Sequence, residues 1–506
     1  MAEAWQYVTG ILFLYLILMI GIGYYATRIL RRSLEDFFLL SRGAGLIVLF
    51  LATASTYHSA FAFLASVATF ATTGVTFWIG SFAWTMLAGI VSYVIGKRIY
   101  LLGKSRGYIS PSDLLADRYN SEALRVLTAI VWAIFLVGYI TVQAIGLGII
   151  LSIGSGGRIS YEVGALILVL ATAIYVAIGG LRAAYWTDVL QGILMYLGVW
   201  LAGLLIMYQF FPGISELFAA VRETNPRLLT LNWSWQLLAG NIIAFGIGVM
   251  ILPHLWIKFY AARDTRTIKW TSALTALYLS SFYIPAMLVG LTAAVLNAKG
   301  GGGLQPGFIS ALTSQYGSAD AVMAYMIYTL THPIIAGVLL AGAAAAAMST
   351  LDSFIGSISM ILTRDIYQKV NKNASEPSLV LVSRLLILFF SLLGWYLATL
   401  RPGLIFDIVA IGAGGGLQVL PALLQAVFPT KRVWINKYGA MAGMIVGALL
   451  VLVISIQTSK YFAPFLGQEL INAIRQPPGV ASLYAIVVNF VVALLVTFLT
   501  ERIRRK

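Results

Sequence analysis

Ala52-Thr-Ala-Ser-Thr-Tyr-His-Ser59 lies in the middle of an otherwise apolar stretch, about 43–70, that is long enough to cross a lipid bilayer. A second such stretch, about 236–259, is interrupted by Gly246-Ile-Gly248 and then by Pro253-His254. Gly and Pro weaken the helical ladder. Non-helical backbone at membrane depth survives only where protein buries it or where it lines a cavity. Each interruption is therefore either an ordinary kink or a true break that opens backbone groups toward an interior site. The choice between these readings decides the architecture.

The remaining chain supplies eleven more stretches of this kind. The spans fall at roughly 8–28, 43–70, 74–97, 120–153, 160–180, 185–211, 236–259, 270–297, 335–362, 378–399, 404–428, 437–457 and 478–500. The composition agrees. Of 506 residues, 60% are hydrophobic and 10% charged, against about 25% charged in a soluble domain, and the mean hydropathy is +0.91. An all-α polytopic membrane protein of about thirteen helices follows. The interrupted spans are the second and seventh, five apart, the spacing that a five-plus-five inverted repeat requires. Secondary transporters often place broken helices first in each repeat, with the binding site between them.

The net charge of +15 invites a nucleic-acid reading, but its distribution accounts for it otherwise and says nothing about nucleic acid. Of the 33 Lys and Arg residues, 26 fall in alternate loops, from Arg28, Arg31 and Arg32 to Arg502, Arg504, Arg505 and Lys506, by way of Lys258, Lys431 and Arg432. That asymmetry sets orientation: the N-terminus is expected outside and the C-terminus in the cytoplasm. The first stretch, about Val8 to Thr27, is too long for a signal-peptide core and lacks a basic start, so it is expected to be a retained helix. The chain has no cysteine, hence no disulfide, thiolate metal site or catalytic thiol. No phosphate loop, metal cluster or catalytic triad is legible, and no enzymatic activity is expected.

Two motifs carry chemistry. In Leu340-Ala-Gly-Ala-Ala-Ala-Ala-Ala-Met-Ser-Thr-Leu-Asp352, the small residues let backbones approach closely. Ala346, Ser349 and Thr350 fall at i, i+3 and i+4, on one helix face. Two hydroxyls and a freed carbonyl suit a small hard cation. Equally, both hydroxyls could simply bond back to the preceding turn. The second motif, Gly179-Gly-Leu-Arg-Ala-Ala-Tyr-Trp-Thr-Asp-Val-Leu-Gln191, is read as a tight turn on the basic side. There either Thr187 or Asp188 caps the next helix, or Asp188 lines a cytoplasmic path that draws a cation inward.

These two motifs, with the external N-terminus and the Pro-His pair of the seventh span, resemble the sodium:solute symporter family over nearly the whole chain. The resemblance implies a leucine-transporter-like five-plus-five core and divides the chain into 1–42, 43–211, 236–428 and 429–506: an extra first helix, two inverted repeats and two last helices. It implies a sodium site made by the Ala346 carbonyl, the Ser349 and Thr350 hydroxyls, and the carbonyls of Ser55 and His58. It puts Asp188 on the ion's release route and gives solute contacts to Ser59, Tyr139, Phe245, Val249 and Pro253. The implied partners are sodium, a small solute and the bilayer, with no nucleic acid and no cofactor beyond the coupling ion. Proline-type members carry a carboxylate at the second-span break where this chain has Tyr57, and a Trp where it has Phe245. Both differences speak against proline.

Other ionisable groups within spans invite roles, since buried charge is costly there. Asp352, one turn beyond Ser349, is a second cation ligand, a proton carrier or a structural acceptor. His58 is a site residue or a satisfied imidazole. His254, beside Lys258, is expected to make a structural bond, and Asp407 to cap the eleventh span. The polar pocket residues are expected to be Ser59, Tyr139 and Gln143, with no buried Arg or Lys. A monocarboxylate or an amino acid is favoured as solute. A proton-driven carrier using Asp352 or His58 is the alternative, and a membrane sensor that binds solute without moving it is a third reading.

Overall fold

A computed structural model describes residues 3–28, 34–401, 403–428 and 433–504; Arg31, Arg32, Lys431, Arg432, Arg505 and Lys506 lie outside them. The described residues form helices joined by turns and loops, without strands. Helix α1 is Ala4–Arg28, and its Val8, Leu12, Leu16 and Met19 are buried against the bundle. The second span, α2, is two helices, Leu46–Tyr57 and Phe61–Thr73, meeting at 60°. Helix α3 is Val75–Arg106 and α4 is Glu122–Gly154.

Tyr161–Phe210 runs for 50 residues, which would reach about 75 Å if straight, more than twice a hydrocarbon layer of roughly 30 Å. It is not straight. Gly180 sits at φ 63°, ψ −162° inside it, a conformation only glycine adopts easily, and a Cβ there would lie 2.6 Å from the carbonyl oxygen of Phe37. This kink makes two spans, α5 (161–179) and α6 (181–210), with no loop between them. Asp188 comes eight residues later, well inside α6, so it caps nothing.

The seventh span, α7, is also a bent pair: Trp235–Ile251 and Pro253–Ala261 meet at 49°. A residue before proline is pushed out of the helical region, and Leu252 has ψ 150°. Helices α8 (Thr265–Lys299), α9 (Pro333–Val370) and α10 (Glu376–Thr399) are continuous. The eleventh span, α11, bends by 42° between Ile405–Leu417 and Leu420–Val427. This third bend was not separated in the sequence, although the run Gly412-Ala-Gly-Gly-Gly416 and Pro421 mark it. Helices α12 (Lys437–Ile454) and α13 (Pro478–Arg504) complete thirteen spans.

Polar contacts sort the ends of the bundle. Arg42 donates to the Tyr108 carbonyl and Arg118 to that of Ala426 at one end. Arg401 donates to the Gln315 carbonyl and pairs with Glu162 at the other. Asp407 is not a cap: the N-cap of α11 is Leu404, and the Ile405 amide donates to Asp320 of the preceding segment at 3.0 Å.

Candidate ion and solute sites

The break in α2 leaves carbonyls without their helical donors. The Ala60 amide, which a continuous helix would aim at Thr56, donates instead to Gln143 Oε1 at 3.0 Å. Gln143 Nε2 donates to the Tyr139 carbonyl at 3.2 Å. Gln143 is therefore spent on holding the break rather than on a solute, a correction to its expected place in the pocket. Ser59 Oγ accepts from the Phe61 amide at 3.1 Å and starts the second half of the helix. Tyr57, at the end of the first half, donates its hydroxyl to the Phe245 carbonyl at 2.8 Å and ties the two broken spans together.

Helix α9 lays its hydroxyl face against this break. Ser349 Oγ is 3.1 Å from the Ser55 carbonyl and 3.3 Å from that of Ala346. Thr350 Oγ1 is 3.1 Å from the Ala346 carbonyl, 3.2 Å from that of Thr56, and 3.4 Å from those of Ser55 and His58. All of these residues are buried. Both sequence readings of the hydroxyls hold in part, since each also bonds back within its own helix. A hydroxyl has one proton to give, so two protons face four carbonyl oxygens. Such an excess of acceptors converging on one point suits a small cation, which asks for several oxygens and no inward-pointing donor. Thr56 was missed as a member, though it stands in the quoted polar run.

His58 contributes only its backbone here. Its imidazole turns away, with Nε2 3.0 Å from the Leu279 carbonyl and the ring among Tyr278, Phe282 and Tyr283. Asp352 also faces elsewhere, accepting from the Tyr175 hydroxyl at 2.8 Å. His332 accepts from the Ile334 amide at the start of α9.

One turn below the oxygen cluster sits a buried ion pair. Lys258 Nζ is 3.0 Å from Asp188 Oδ2 and 2.9 Å from the Ala52 carbonyl, and it lies over the ring of Tyr185. Asp188 is 0% and Lys258 3% exposed. Thr56 Oγ1 joins the pair to the cluster, 3.5 Å from Asp188 Oδ2, 3.3 Å from the Ser349 carbonyl and 3.0 Å from Ser353 Oγ. This corrects the expectation that Lys258 lies in a basic loop. The signal was present: Lys258 stands alone in Leu255-Trp-Ile-Lys-Phe-Tyr260, and an isolated charge within apolar sequence at membrane depth is read as interior.

Beside the cluster the two broken spans and their neighbours border a narrow cavity of about 10 Å³, room for roughly one water molecule. Ser59, Tyr139, Phe245 and Val249 line it, together with Thr56 and Thr350 of the ion cluster. Pro253 does not; it opens the half-helix behind. Phe61 stacks on Phe245 at 5.5 Å, and Trp84 and Phe406 close on the same ring. Tyr139 keeps its position because Gly412 has no side chain: a Cβ there would lie 2.4 Å from the tyrosine ring. His254 also lines the cavity, and neither of its ring nitrogens has a partner, contrary to the structural bond expected of it.

A family model for the sodium:solute symporter family matches residues 37–447. The osmoregulated proline transporter OpuE of Bacillus subtilis is 26% identical over 457 residues, with 87% of each chain covered. The sodium/pantothenate symporter of Escherichia coli is 27% identical over 471 residues, covering 88% of this chain and 90% of that one. Among solved structures, a substrate-bound outward-open Na+-coupled sialic acid symporter superposes with a TM-score of 0.76 at 20% identity, covering 97% of this chain and 98% of its own. The likeness is one of fold, the five-plus-five inverted-repeat bundle. The apolar spans make this an integral membrane protein, and its relatives are transporters rather than enzymes. The chain belongs to the sodium:solute symporter family.

Proposed function

We propose that this protein is a sodium-coupled symporter of a small organic solute, a monocarboxylate or an amino acid, that works by alternating access in the cytoplasmic membrane. The observation that carries the reading is the convergence of the Ser349 and Thr350 hydroxyls with the carbonyls of Ala346, Ser55, Thr56 and His58. Sodium held there turns the hydroxyl protons away and joins the broken end of α2 to α9. A conformation in which the two helices part has no such oxygen set, so sodium favours the docked state. A ligand shifts only the equilibria whose states it binds unequally, and docking also forms the cavity wall at Thr56 and Thr350. That shared wall is the coupling.

The repeats in this reading are 43–211 and 236–428, each opening on a bent pair, with 1–42 before them and 429–506 after. Release of the ion runs past Asp188 toward the basic end, with the N-terminus outside and the C-terminus in the cytoplasm. Asp188 is no open negative well, because Lys258 already neutralises it. The ion exchanges its oxygens along Thr56 and Ser353 instead.

Proteoliposomes with an imposed sodium gradient test the proposal against small carboxylates and amino acids. Accumulation that collapses when choline replaces sodium is the expected result. One observation favours a second reading: Asp352 is buried with Oδ1 unpartnered, as a proton-carrying carboxyl would be. Accumulation that follows a pH gradient and ignores sodium would select proton coupling in place of sodium.

A further inference from the structure

The half-helix Pro253–Ala261, which brings His254 to the cavity wall, has no side-chain cap on its N-cap residue Leu252. Pro253 has no N–H and the Leu255 amide already donates to the Leu252 carbonyl at 3.2 Å, so the His254 amide is the donor left open at an end that carries a partial positive charge. Two polar side chains share that space without a partner: the His254 imidazole, 2% exposed, and the Tyr139 hydroxyl, 3% exposed. Both rings pack on Phe354, at 4.2 Å and 4.8 Å. Buried polar atoms are nearly always bonded, so unpaired groups beside a helix N-terminus mark where a ligand atom belongs. The remaining walls are mostly apolar, chiefly Trp84, Phe245, Phe61 and Val249, with the neutral hydroxyl residues Thr56, Ser59 and Thr350 among them, and no Asp, Glu, Lys or Arg lines the cavity. The site offers donors to an anion and apolar surface to a short body. An ammonium group would lose its water there and find no carboxylate in exchange.

We propose that, granted the symport reading above, the solute is a small carboxylate without an ammonium group, its carboxylate held by His254, Tyr139 and the amide end of the Pro253–Ala261 half-helix. Thr350 lines this cavity and also belongs to the ion cluster, so sodium and carboxylate bind as neighbours. At a separation on the order of 6 Å and an effective dielectric of about 20, opposite charges raise each other's affinity by roughly a hundredfold.

The test is thermal stability of the purified protein in sodium or choline buffer, titrated with acetate, propionate, pyruvate and lactate. Propionamide serves as the neutral control and L-proline as the zwitterion. The expected result is a sodium-dependent shift with at least one of the carboxylates and none with the amide or proline. His254→Phe and Tyr139→Phe should each raise the half-saturating carboxylate concentration about tenfold or more while keeping the shift that sodium alone produces. Having two variants keeps the test open if one fails to fold. Equal stabilisation by proline or propionamide, unchanged affinity in both variants, or a sodium shift with no response to any carboxylate would each overturn the assignment and leave sodium coupling standing. A wild-type protein indifferent to sodium would instead overturn the symport reading.

Discussion

Lys258→Met is expected to abolish transport and to reduce the amount of folded protein. The ammonium is buried and bonded to Asp188 and to the Ala52 carbonyl. Removing it leaves the carboxylate with only the hydroxyls of Ser55 and Thr56, the latter at 3.5 Å. Breaking one side of a buried pair costs about 3–5 kcal/mol, whereas replacing both sides by apolar or neutral groups is often neutral. The double variant Asp188→Asn, Lys258→Met should therefore recover abundance in the membrane. Transport should not return, because Thr56 would no longer be held between the pair and the Ser349 carbonyl. Immunoblotting of membranes beside sodium-driven uptake separates the two effects. A single Lys258→Met variant as abundant and active as wild type would show that the pair carries neither load.

Thr350→Ala should have the second largest effect, and it should fall on sodium rather than on folding. The hydroxyl lies within 3.4 Å of four carbonyl oxygens, and Thr350, unlike Ser349, also lines the cavity. A hydrogen-bond-strength contact to a charged group is worth about 1.5–3 kcal/mol, against about 1 kcal/mol for a neutral one. The sodium concentration for half-maximal uptake should rise about tenfold or more, while abundance changes little. Ser349→Ala removes contacts to Ser55 and Ala346 only, so it should move the same quantity in the same direction by less. Uptake measured across sodium concentrations in both variants checks the order. Equal sodium dependence in both variants and wild type would remove these residues from the ion's path.

Much of this architecture is legible in the chain because lipid imposes simple rules. Apolar length marks the spans, the two polar or glycine-proline interruptions mark α2 and α7, and i, i+3, i+4 spacing puts Ala346, Ser349 and Thr350 on one face. What sequence could not supply is which groups meet across spans. Gln143 looked like a solute ligand, yet it is 83 residues from the amide it holds. Lys258 looked like loop charge because it lies near a span end, but the bend at Leu252 turns its half-helix inward and delivers it to Asp188. His254 looked satisfied by that neighbour. Instead the two residues, four apart on one half-helix, serve different places, the lysine an ion pair and the histidine the cavity.

The central claim is that sodium binds where α9 crosses the break in α2. Equilibrium binding of radioactive sodium to the purified protein tests it most directly, with wild type compared to the Ser349→Ala, Thr350→Ala double variant. The account predicts saturable binding to wild type and loss of that binding in a double variant that remains folded. Saturable binding of equal affinity in both proteins would contradict it and put the coupling ion elsewhere in the bundle.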